Sequence, residues 1–260
     1  MPTPTTPLSA EQISEMLAVV KEADSVELKL TVPEAAQRSA VNALELDPLE
    51  GQLRQVFFFD TPELHLNQSG IVVRARRSQG RPDDTVVKLR PVVPADLAPK
   101  LRQLPEFGVE VDALPGGFVC SASFKADLGG QTDVREAALG QRPIHKLFSK
   151  GQRAFFEEHA PGGLALNDLA ILGPINVFKL KFSPKGFDRR MVTELWLYPD
   201  GARILELSTK CEPQEAFQVA AEVKAFLSDR GIDLSGEQQT KTSTALKFFS
   251  QELHSPDGDQ

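Results

Sequence analysis

The chain has 260 residues with 36 acidic against 29 basic side chains, a formal net charge of −7. That balance excludes a bulk electrostatic hold on a nucleic-acid polymer or an anionic membrane. Its two cysteines, Cys120 and Cys211, show neither CxxC nor Cys/His spacing, which excludes a disulfide framework and a zinc site.

Residues 1–8 are rich in Pro and Thr and read as a flexible tail. Ser9 and Gln12 fit a capping box for a helix to about Ala23, striped by Ile13, Met16, Leu17 and Val20. Ser25–Leu30 alternates as a strand, with Val26, Leu28 and Leu30 on one face and Ser25, Glu27 and Lys29 on the other. Pro33 opens a helix to about Leu46, Pro48–Gly51 is a turn, and Asp60-Thr61-Pro62 breaks a strand over Gln55–Phe59. Leu64 and Leu66 lead to a turn at Ser69-Gly70, and strands follow over Gly70–Arg77 and Val86–Arg90. Pro91–Pro105 is a connection, Phe107–Asp112 a strand, Val119–Lys125 a strand or short helix, and Asp133–Ala138 a helical turn. Leu147–Phe156 reads as a strand carrying Lys150 and Arg153, and Gly162–Gly173 as a loop with a helical turn at Asn167–Ala170. Strands at Asn176–Phe182, Met191–Tyr198 and Arg203–Lys210 follow, the last two joined by a hairpin turn at Pro199-Asp200-Gly201. Two helices close the chain, Pro213–Arg230, stopped by Gly231, and Gln238–Leu253, before a tail over 254–260.

No repeat of fixed period and no linker divides the chain, so one domain over residues 9–253 is expected. Turn-joined strands imply antiparallel connectivity. No apolar run reaches the roughly 18 residues of a bilayer-spanning helix, and no charged-then-apolar leader opens the chain. The cytoplasm is therefore the expected compartment, and Asn67-Gln68-Ser69 is a chance match to a glycosylation acceptor.

The strands share an inverted pattern. One face is apolar; the other repeats charge. Arg74 and Arg76 share a face, as do Lys88 with Arg90 and Lys179 with Lys181. Like charges side by side repel, and an ordinary solvent face mixes signs. Matched positions elsewhere add Lys29, Arg153 and Lys210, with Glu27, Glu110, Asp112, Glu194 and Glu206 as acids. If the sheet closes, this face lines a lumen, where unpaired charge costs several kcal/mol per group. Such a lumen is hydrated, internally paired or filled by a counter-charged ligand. Arg and Lys suit phosphate, and Mg²⁺ joins carboxylates to phosphates, so the pattern points to a metal–polyphosphate site.

Phe59-Asp60-Thr61-Pro62, then Leu66 to Arg77, then Val87-Lys88-Leu89-Arg90 resemble, in order and spacing, the CYTH family of triphosphate tunnel metalloenzymes. The likeness spans roughly Ser25 to Lys210. It implies an α+β fold: a closed, antiparallel, eight-stranded β-barrel forming a tunnel, with helices packed outside. It implies phosphate binding by Arg74, Arg76, Lys88, Arg90, Arg153, Lys179 and Lys181, with Lys29 joining them or poising the nucleophile. Glu27, Glu110, Asp112 and Glu206 would hold Mg²⁺ or Mn²⁺, and Glu194 or Glu206 would handle the attacking water. The family's opening Glu-x-Glu-x-Lys is Ser25-x-Glu27-x-Lys29 here, Asp24 lies one residue out of phase, and Ser208 stands where an acid is common.

The expected activity is metal-dependent hydrolysis of an inorganic or organic triphosphate, a small-molecule partner. The alternatives are a non-catalytic polyphosphate or nucleotide binder, which Ser25 and Ser208 favour, and an adenylyl cyclase of the same fold. Trp196 and Tyr198 read as packing residues, and Lys241 as an exposed helical lysine unless it reaches the tunnel mouth. His65, His145, His159 and His254 lack ligand spacing.

Overall fold

The computed structural model describes residues 17–232 and 241–254. The expected capping box at Ser9 and Gln12, the stripe residues Ile13 and Met16, the start of the last helix at Gln238 and both tails apart from His254 lie outside the described residues. The described part of the first helix, α1, is residues 17–21.

The strands are β1 (Ser25–Val32), β2 (Gln52–Asp60), β3 (Ile71–Ser78), β4 (Asp84–Leu89), β5 (Phe107–Leu114), β6 (Gly117–Asp127), β7 (Ala170–Phe182), β8 (Met191–Leu197) and β9 (Arg203–Cys211). They close into a barrel in the order β1-β5-β6-β4-β3-β2-β7-β8-β9. The expected eight-stranded, all-antiparallel barrel is thus corrected to a mixed one of nine strands. A ring with an odd number of strands cannot alternate direction all the way round. The mismatch falls between β1 and β5, which run parallel with Glu27 opposite Asp112.

The period-2 alternation sets the layering. Outward apolar residues such as Val26, Phe57, Phe59, Val73, Val87, Val111 and Leu207 form the main core with the helices, and the charged faces turn inward. The helices are α2 (Gln37–Ala43), α3 (His65–Gln68), α4 (Asp133–Ala138), α5 (Lys150–His159), α6 (Ala216–Asp229) and α7 (Lys241–His254). Of these, α5 lies on β4 and β6, α6 on β1 and α7 on β7. A second apolar cluster joins Ala245, Leu246 and Phe249 of α7 to Val56, Phe58, Val177, Trp196 and Tyr198.

Two local readings are corrected. Leu147–Phe156 is no strand: α5 begins at Lys150, with Ser149 accepting from the Gln152 backbone and Gln152 reaching back to the Ser149 N–H. That Ser-x-x-Gln box sets a helix start where the aromatic residues were read as a strand. The segment before Asn176 is no loop: β7 starts at Ala170 and passes Gly173, where the pairing with β2 shifts register. Gly173 has φ +152°, and a Cβ there would lie 2.9 Å from the Val56 carbonyl oxygen, so only glycine fits this approach. The ambiguous stretch Val119–Lys125 belongs to β6.

Candidate functional site

The barrel encloses a cavity of about 830 Å³ lined by twelve basic and five acidic side chains. This excess of cations lies inside a chain whose net charge is −7. Asp60 shapes one rim. Its buried carboxylate accepts backbone N–H bonds from Thr61, Leu66 and Asn67, at 2.8, 2.9 and 3.0 Å, and so ties the turn into α3 to the end of β2. Gly70 follows with φ +73°, and a Cβ there would lie 2.9 Å from the Arg90 carbonyl oxygen. The close approach lets the Arg90 N–H donate to the Gly70 carbonyl at 2.7 Å, which fixes Arg90 at the cavity wall.

Every acid in the cavity has a cation against it. Lys29 donates to Asp112 at 2.6 Å and lies 3.2 Å from Glu27. Lys210 pairs with Glu110. Arg90 and Lys88 stand 3.3 and 4.0 Å from the other Asp112 oxygen. On the β8–β9 side Lys179 donates to Glu194 at 2.7 Å, and Lys241 bridges Glu194 and Glu206 at 2.6 Å each.

These distances sort the proton affinities. Burial opposes the Lys29 ammonium, but Glu27 and Asp112 outweigh it and raise its pKa well above the usual lysine value. Lys88 shares Asp112 only at 4.0 Å, so burial prevails and brings it down to about 8. Burial also works to raise Glu194, yet Lys241 and Lys179 hold it well below the usual carboxylate range. Glu206 has one ammonium rather than two against it, and there burial prevails and raises the carboxyl. Glu206 is accordingly the better proton acceptor of the two.

Five lining cations have no acidic partner among the described residues: Arg54, Arg74, Lys125, Lys181 and Arg190. Burial, with Arg76 beside it, lowers Arg74 to about 10, and its Nε is buried without a hydrogen-bond acceptor. Burial likewise lowers Arg54, Lys125 and Lys181. Groups held charged against such a penalty form a ready receptor for an anion.

Glu27, Glu110 and Asp112 present carboxylate oxygens within 4.8 Å of one another. Asp112 Oδ2 is buried and accepts no hydrogen bond. Three hard oxygen donors, one of them accepting no hydrogen bond, fit a hard divalent cation.

All the residues singled out from the sequence for substrate, metal or catalysis line the cavity except Arg153. That residue sits on α5 outside the barrel, where its guanidinium donates to the Phe148 carbonyl at 3.1 Å. Glu206 stands apart from the carboxylate trio, its oxygen on Lys241. Asp24 is outside too, accepting from the Val109 N–H at 2.7 Å. Ser208 lines the cavity, and Ser25 does not. Arg54, Lys125 and Arg190 are added by the structure. Arg54 shares the face of Val56 and Phe58 and was legible had β2 been started earlier; Lys125 alternates with Ser123 once Val119–Lys125 is taken as a strand. Lys241 is no exposed lysine: it reaches from α7 into the cavity, 5.1 Å from the centre of the Trp196 ring. Trp196 and Tyr198 are packed, at 4% and 5% exposure.

No family model matches the sequence, and no curated protein matches it. Solved structures do match. One is HpAC1 from Hippeastrum, a proposed adenylyl cyclase in which a triphosphatase activity is dominant. It is 17% identical, with a TM-score of 0.62 over 85% of this chain and 95% of that one. Another is a proposed adenylate cyclase from Bacillus halodurans, 12% identical, with a TM-score of 0.59 over 85% of this chain and 97% of that one. At these identities the likeness shows a shared barrel fold.

Proposed function

We propose that the barrel binds a triphosphate-bearing small molecule in its lumen and hydrolyses its terminal phosphoanhydride with Mg²⁺ or Mn²⁺. The observation that carries this reading is the set of cavity-lining cations without acidic partners, Arg74 foremost. The CYTH-like motifs and the two solved barrels support it, the one named for a triphosphatase activity most directly.

Phosphoryl transfer needs positioning and charge stabilisation more than covalent chemistry. Arg54, Arg74, Arg76, Lys88, Arg90, Lys125, Lys179 and Lys181 hold the phosphate chain. Glu27, Glu110 and Asp112 would hold the divalent cation, which would supply neutralisation of phosphate charge. In the unliganded barrel Lys29 keeps Asp112 ionised and oriented. Glu206, the carboxyl with the higher proton affinity, takes the proton of the attacking water, and Glu194 stays ionised and anchors Lys179 and Lys241.

The test is phosphate release from tripolyphosphate and ATP with Mg²⁺ or Mn²⁺. Release by the wild type, and its fall by about 10²-fold or more in Glu206→Gln, are the expected results. Glu27→Ala that kept full turnover would remove the metal role given to that residue. A second reading, a non-catalytic polyphosphate binder, is favoured by Ser208 at an inward position and by the Lys241 clamp on both candidate water-handling acids. Tight binding without release in any metal would establish it.

A further inference from the structure

The charge pairing in the lumen has an order built into it. The three carboxylates that fit a divalent cation already carry ammonium groups: Lys29 touches Glu27 and Asp112, and Lys210 touches Glu110. A free metal ion must displace both lysines, and it enters a cavity in which basic side chains outnumber acidic ones. A polyanion meets the opposite situation. Arg74 and its unpaired neighbours are ready to receive it, and its oxygens compete for the same lysines.

We infer that the anion binds first and creates the metal site, by drawing Lys29 and Lys210 off the carboxylates. This rests on the lumen being a phosphate-chain site, and it adds the order of assembly. Two features support it beyond the clustering of acids. Asp112 is fully buried, and one of its oxygens accepts no hydrogen bond although Arg90 and Lys88 stand 3.3 and 4.0 Å away, so that oxygen is free to take a ligand. Lys210 is half-exposed at its side chain, 53%, against 17% for Glu110, so it can leave Glu110 without being stranded in a dry interior.

Coupling between two ligands is reciprocal and typically amounts to 5–150-fold in affinity. The lysine exchange therefore predicts weak Mn²⁺ binding to the free protein and at least about tenfold tighter binding with anion present. Three measurements test this on the full chain. Calorimetry of tripolyphosphate in EDTA should show metal-independent binding. Equilibrium dialysis of Mn²⁺ should be run without and with the non-hydrolysable imido analogue of tripolyphosphate, at equal concentration on both sides so that complexation in solution cancels. Lys210→Met should bind Mn²⁺ more tightly than wild type in the absence of anion and show a smaller enhancement when anion is added. Equal Mn²⁺ affinity with and without bound anion in the wild type overturns the inference and leaves the phosphate site standing. Failure of tripolyphosphate to bind in EDTA, with tight Mn²⁺ binding alone, also overturns the inference; failure to bind both in EDTA and with Mn²⁺ overturns the phosphate site as well.

Discussion

Arg74 states the trade between stability and function most directly. Its guanidinium is buried, sits beside Arg76 and lacks an acceptor for Nε. Replacing an uncompensated buried charge by an apolar side chain of similar length removes a desolvation penalty. Arg74→Met should therefore stabilise the unliganded protein by about 1 kcal/mol or more, read as a higher urea midpoint. The same change should weaken tripolyphosphate binding by about tenfold or more, since charge-assisted hydrogen bonds to phosphate are lost. A variant less stable than wild type would contradict the reading of this residue as strained by burial. Lys88 makes the complementary case for pH. Its pKa in the fold, about 8, lies below the usual 10.5. The folded state thus disfavours the ammonium, and the unfolded chain holds the proton more firmly. That penalty is full below about pH 8 and is relieved as the pH rises towards 10.5. The stability difference between wild type and Lys88→Met should change in favour of wild type across that window, while anion affinity falls as Lys88 loses its charge. A flat difference would show that Lys88 keeps an ordinary pKa.

Among the elements, α7 and α5 show two ways in which sequence and structure part company. α7 is attached by Ala245, Leu246 and Phe249 in the second apolar cluster, by the Tyr198 hydroxyl donating to the Lys241 carbonyl at 3.1 Å, and by the Ser250 hydroxyl donating to the Pro62 carbonyl at 2.7 Å. Leu246→Ala should cost about 2–5 kcal/mol at this contact. Hydrogen exchange should then accelerate through α7, with the strands away from it unchanged. Uniform acceleration across the barrel would show α7 to be part of the global folding unit. The helix itself was readable from the sequence; the barrel end it covers was not, because helical periodicity says which face is buried and not against what. The paired Arg and Lys of β3, β4 and β7 were readable because strand alternation is local and strict. Arg153 went astray for the opposite reason. Phe148, Phe155 and Phe156 suggested a strand, while the Ser149–Gln152 box set a helix. Gln152 is also fully buried, taking a hydrogen bond from Thr85 at 3.0 Å and donating to the Thr85 and Phe124 carbonyls. The parallel β1–β5 pairing had no local sign at all, since it follows from how the ring closes.

At the scale of the molecule, folding and ligand binding share one set of charges. A ligand that binds only the folded chain stabilises it by about 2.7 kcal/mol at a hundred times its Kd. For a domain of this size that is a rise in melting temperature of roughly 5 to 10 °C. Tripolyphosphate should produce it and equimolar chloride should not; no rise would count against the lumen as a phosphate site. Among the described residues no helix is long and apolar enough to cross a membrane. The seam at β1 carries a further consequence. Cys211 lies against the Val26 carbonyl from 185 positions along the chain, and Lys29 meets Asp112 from 83 positions away. A chain still lacking β9 therefore cannot close the ring, because β8 and β1 meet only through β9. Such distant pairings are slow to form. During refolding from urea, the emission of the sole tryptophan, Trp196, and the capacity to take up tripolyphosphate should recover together in the slowest phase.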